Sequence, residues 1–118
     1  MSRRNILRPH TVFDESDSTS NPESKATDVS GLDNVTYLFA VDASVIGEMF
    51  IEFSLDDSNP QNWHQLNFGE SLVINGSTDT SYLAHIKNHG FKFLRSRFEN
   101  DAGSGPITGI ISGNTVGA

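Results

Sequence analysis

The chain has 118 residues, no cysteine and a formal net charge of −7, and 36% of its residues are apolar, among them eight Phe, two Tyr and one Trp. That length allows one domain and excludes two ordinary ones, while the absence of thiols excludes disulfides and thiolate metal centres. The acidity argues against nucleic-acid binding, which needs clustered Lys and Arg. No stretch reaches the ~20 apolar residues of a membrane helix, and MSRRNILRPH lacks the apolar run that follows the basic start of a secretory signal. The expectation is a soluble protein made in the cytoplasm, with no membrane partner.

Residues 1 to 30 hold few large apolar side chains, with Ile6, Leu7, Val12 and Phe13 followed by the polar stretch DESDSTSNPESKATD. On composition this segment cannot bury enough surface to offset its ordering entropy and reads as an extended N-terminal arm. Its tip carries Arg3, Arg4 and Arg8 without an acid, and its stem is acidic. One reading is a disordered terminus kept in solution by its arginines. The other is a docking arm, in which Ile6, Leu7, Val12 and Phe13 seat in a partner while Arg3, Arg4 and Arg8 pair with carboxylates there.

From residue 31 to 118 the texture becomes short β-like runs between turn residues, with no long stripe of period 3.6. VTYLFAV, Val35 to Val41, is β-branched and aromatic and ends at a turn, DAS. GEMFIEFSL, Gly47 to Leu55, alternates so that Met49, Ile51, Phe53 and Leu55 point inward and Glu48, Glu52 and Ser54 outward, with Phe50 breaking the polar face. The loop DDSNPQN follows, then WHQLNF and ESLVI, then a turn at Asn75-Gly76, where a positive φ is expected. SYLAHI, Ser81 to Ile86, places Tyr82, Ala84 and Ile86 on one face. The last run, FKFLRSRFENDAGSGPITGIISGNTVGA, reads as two strands joined by a hairpin turn at Gly103 to Gly105, with Leu94, Ser96 and Phe98 on one face and Phe93, Arg95 and Arg97 on the other. The fold expected is all-β, a two-sheet antiparallel sandwich of about seven to eight strands with the arm attached.

No catalytic constellation accompanies this pattern. His10, His64, His85 and His89 are not spaced to converge on a metal, and Asp56, Asp57 and Asn59 lack the glycine and distal Glu of a calcium loop. Glu48 and Glu52 share a strand face that alternation assigns to solvent, without the apolar pocket that would raise one carboxyl. The chain is therefore expected to be no enzyme and to carry no cofactor or metal. Trp63 with Tyr82 could form a sugar-stacking platform; the plainer role for Trp63 is to pin its loop to the sheet. Arg95 and Arg97 are suited to carboxylates of a partner, or to cross-strand acids of this domain.

The succession FIEFSLDDSNPQNWHQL, SYLAHIKNHGFKFLRSRFEN and GSGPITGIISG, within Leu32 to Ala118, resembles the small β-sandwich structural proteins of tailed bacteriophages. The resemblance implies a non-enzymatic virion protein assembled in the host cytoplasm: a capsid decoration or cement protein, or a neck or tail component. Its partners would be the major capsid protein or other virion proteins, with the chain present as a homo-oligomer or in repeated copies. The alternative is a carbohydrate-binding module on a virion surface. The arm has no counterpart in the repeated pattern.

Overall fold

The computed structural model describes residues 6–55, 62–66, 72–87 and 90–115. In chain order the strands are β1 (Ile6–Asp17), β2 (Thr27–Asp28), β3 (Asn34–Val41), β4 (Ile46–Ser54), β5 (His64–Gln65), β6 (Leu72–Asn75), β7 (Ser81–Lys87), β8 (Phe93–Ala102) and β9 (Pro106–Asn114), with a 3-10 turn at Ser18–Ser20. They form two antiparallel sheets. The first has the order β1-β9-β3-β7; the second has β2-β8-β4-β5, with β6 also on β4. The architecture is the expected all-β, two-sheet sandwich.

Alternation builds the core. In β3 the odd-numbered Val35, Tyr37, Phe39 and Val41 are buried, and in β9 Ile107 and Ile111 join them. From the second sheet come Met49, Leu94 and Phe98, so the two inner faces meet in one apolar cluster. Tyr37 and Phe39 stack with ring centroids 5.3 Å apart. Leu55, expected to face inward, lies beyond the end of β4 and is 64% exposed, because the ladder that would hold it stops at Ser54.

The segment set apart in the sequence as an arm is interleaved with both sheets wherever it is described. β1 pairs with β9 from Ile6↔Asn114 to Asp17↔Pro106, and Phe13, opposite Gly109, is 2% exposed with its ring 6.3 Å from that of Phe39. Residues after β1 then run along β8: the Ser24 and Val29 N–H groups donate to the Ser96 and Lys92 carbonyls, and the Phe98 N–H donates to the Pro22 carbonyl. Val29 is fully buried. Composition registers how little side-chain surface such a stretch can bury, but the backbone here is satisfied by the edges of two sheets, and two large anchors are enough to fix it.

The last two strands also part from expectation. β8 belongs to the second sheet and β9 to the first, so Gly103 to Gly105 crosses between sheets and closes no hairpin. Gly103 takes φ +73, and a Cβ there would collide with the Ser44 carbonyl oxygen, so this crossover needs glycine on both counts. Gly76 is not among the positive-φ residues. Its requirement is space, since a Cβ would strike the Asp42 carbonyl.

Candidate functional site

The outer face of the second sheet carries a charge and aromatic network. Register places Glu52 opposite Arg95 and Phe50 opposite Arg97. Arg95 Nε donates to Glu52 Oε1 at 2.8 Å and its Nη1 to Glu23 Oε1 at 3.0 Å; Arg97 Nε reaches Glu52 Oε2 at 3.3 Å and its Nη1 donates to Glu99 Oε1 at 2.7 Å. Burial alone would lower the Arg97 pKa, but its bonds and proximity to Glu99 and Glu52 raise it overall. Each guanidinium also caps a ring: Arg95 lies 4.3 Å from the Trp63 centroid and Arg97 4.2 Å from that of Phe50. Phe50, the exception to the polar face, is thereby only 8% exposed.

Glu52 is the hub of this network and was assigned to solvent by alternation. It is 8% exposed, because two arginines and their aromatic partners close over it. The pairing of residue 52 with residues 95 and 97 is set by sheet order, which a single sequence does not display. Glu23 was likewise missed, since it reaches the face only because its segment runs along β8.

On the first sheet, the start of β1 forms one wall of a groove of about 470 Å³, with Ile6, Leu7 and Pro9 above a polar floor that includes Thr36, His85 and Asn114. Thr36 Oγ1 and His85 Nδ1 are 2.7 Å apart, and Asn34 Nδ2 donates to Asn114 Oδ1 at 3.3 Å. Ile6 is 65% exposed, Leu7 is half-buried and Arg8 exposed.

The proposed arm residues are thus split. Arg3 and Arg4 lie outside the described residues; Ile6 and Leu7 line the groove, Arg8 is exposed on β1 without lining it, Val12 packs on the core, and Phe13 belongs to the protein's own interior. Trp63 and Tyr82 do not share a face: Trp63 covers Arg95 on the outside of the second sheet, whereas Tyr82 packs against the core and its hydroxyl bonds both N–H and C=O of Asn75 at 2.9 Å. Among the described residues no three His, Asp or Glu side chains converge as metal ligands. The loop at Asp56, Asp57 and Asn59, and His89, lie outside the described residues.

No family model matches the sequence, and no curated protein matches it. Among solved structures the chain is similar to the SPBc2 prophage-derived protein YomS, with a TM-score of 0.60 and 15% identity over 95% of each chain. A structure of infectious bursal disease virus, Gx strain, aligns at a TM-score of 0.46 and 10% identity, over 96% of this chain and 33% of that one. At 15% identity, the likeness to YomS shows a shared fold.

Proposed function

We propose that this chain is a non-enzymatic structural protein of a tailed-phage particle, a capsid decoration or cement protein that docks through the exposed tip of β1. The observation that carries the reading is the end-to-end likeness of its fold to a prophage-derived protein, over 95% of both chains. The geometry supports the docking route. Phe13 roots β1 in the core, while Ile6 and Leu7 line the groove at its outer end and the exposed Arg8 follows them in the strand. A partner segment seated there meets apolar walls and hydrogen-bonding groups together, and repeated copies on a lattice add avidity to a modest single contact.

The test is co-sedimentation of the purified full chain with shells assembled from the major capsid protein of the same genome. Saturable binding is expected, lost in Ile6→Asp/Arg8→Glu, with an unchanged far-ultraviolet spectrum. Failure to bind capsid shells would overturn the decoration role, and equal binding by the double variant would overturn docking through β1. A glycan-array signal abolished by Trp63→Ala would favour a carbohydrate-binding module instead.

A further inference from the structure

We infer that the outer edge of β7 is a contact between two copies of this chain, joined by antiparallel two-fold pairing centred on Ala84. The inference is independent of the virion reading. It begins with how the sheet edges differ. β2 and β5 have two residues each and β6 has four. β1 is long but irregular, with three register shifts, Pro9 within it and Glu15 at φ +47. Such features blunt an edge against pairing. β7 has none of them: its seven residues stay in unbroken register with β3 from Ala40↔Ser81 to Asn34↔Lys87, without proline or acid. Among the described residues no strand pairs with its other side.

The backbone fixes which groups face outward. Val41 N–H donates to the Thr80 carbonyl at 2.9 Å, and continuing the register makes these two residues direct opposites. In an antiparallel ladder hydrogen-bonded pairs alternate with non-bonded ones, so Tyr82, Ala84 and Ile86 bond to β3. Ser81, Leu83, His85 and Lys87 therefore aim N–H and C=O away from it. With the two-fold at Ala84, Leu83 faces His85 of the second copy, and Ser81 faces its Lys87. All four outward residues then exchange backbone bonds. Tyr82, Ala84 and Ile86, only partly buried where the inward residues of β3 are 0–7% exposed, gain apolar neighbours across the new seam.

Charge supports a second copy as occupant. Two molecules of net charge −7 repel, so a strand that joins them is favoured by carrying no acid, as β7 does, and by bringing a lysine to the seam. In this register Lys87 lies diagonally across from Asp79 of the second copy, within reach of a long side chain, and symmetry supplies the pair twice. The result is isologous, with the first sheet continuing through the two-fold from one molecule to the other.

Sedimentation of the full chain is expected to show a monomer–dimer equilibrium. Leu83→Pro removes one outward N–H and none of the bonds to β3, so it should give a folded monomer. Lys87→Glu should raise the dissociation constant about tenfold, and adding Asp79→Lys should restore it. Because the chain has no cysteine, Ala84→Cys supplies a single thiol. Across the two-fold, Cα atoms of a non-bonded pair lie about 4.5 Å apart, within disulfide range. Oxidation should then link Ala84→Cys into a covalent dimer much faster than Thr11→Cys on β1. A wild-type chain that stays monomeric at high micromolar concentration would overturn the inference. So would equal cross-linking of the two cysteine variants, a Leu83→Pro chain that remains dimeric, or a charge swap that fails to rescue. Should Leu83→Pro fail to fold, the cysteine and charge-swap variants decide.

Discussion

Tyr37 presents the sharpest single-residue contradiction in the core: its side chain is fully buried, and its hydroxyl has no hydrogen-bond partner among the described residues. Burial pushes the phenol well above its ordinary value of 10.0. The unfolded chain therefore loses this proton first as pH rises, and the stability that depends on a neutral Tyr37 is present below pH ~10 and declines above it, by at most about 1.4 kcal/mol per pH unit. Tyr37→Phe is expected to remove this part of the alkaline loss and to be neutral or stabilising by about 1 kcal/mol at pH 7, since it deletes an unpaired polar atom and keeps the ring. Urea unfolding at pH 7, 9 and 11 checks both. Glu52 is the opposite case, a buried charge with its partners in place. Glu52→Gln should cost about 1–3 kcal/mol because two arginines lose their common carboxylate. Glu99→Gln, at a carboxylate whose side chain is 53% exposed, should cost about 0–1 kcal/mol in the same urea assay.

At the scale of elements, β1 has two functions that substitutions can separate. Phe13→Ala is expected to destabilise the domain by about 3–5 kcal/mol, as for other buried aromatics, whereas Ile6→Asp should leave the melting temperature nearly unchanged. Thermal melts of the two variants provide the comparison. Deletion of residues 2–13 would remove Phe13 and uncover β9, and so does not test docking alone. The strands from β3 to β9 were legible in the sequence as apolar runs between turn residues, most clearly β3, β4, β7 and β8, whose inner residues recur at every second position. β1 was not, because its register shifts interrupt the alternation that would have announced it. The turn chemistry at Gly103 to Gly105 was legible as a change of direction. Which sheet receives the chain after such a turn depends on packing of distant strands, and so β8 and β9 were read as neighbours.

For the molecule as a whole, the two-sheet class followed from period and turn spacing, while the candidate surfaces did not, since they are assembled from residues far apart in the chain. Arg95 was visible as a charge on a strand; that it bonds Glu23 as well as Glu52 depends on the N-terminal segment returning along β8. The same closure brings Ile6 opposite Asn114, and strands paired this way lie about 5 Å apart. A circular permutant that joins Asn114 to Ile6 by a short flexible linker and opens at the Ser77–Thr78 turn is therefore expected to retain the strand spectrum and a cooperative urea transition. Loss of cooperativity would indicate that the pairing of β1 with β9 tolerates no added linker.

Pairing the first strand with the last also orders events on the ribosome. β1 is synthesised well before β9, so it waits without its sheet partner until β9 has been made. A product that stops before Pro106 would leave β1 and one flank of β3 both bare, marked for chaperone capture or proteolysis.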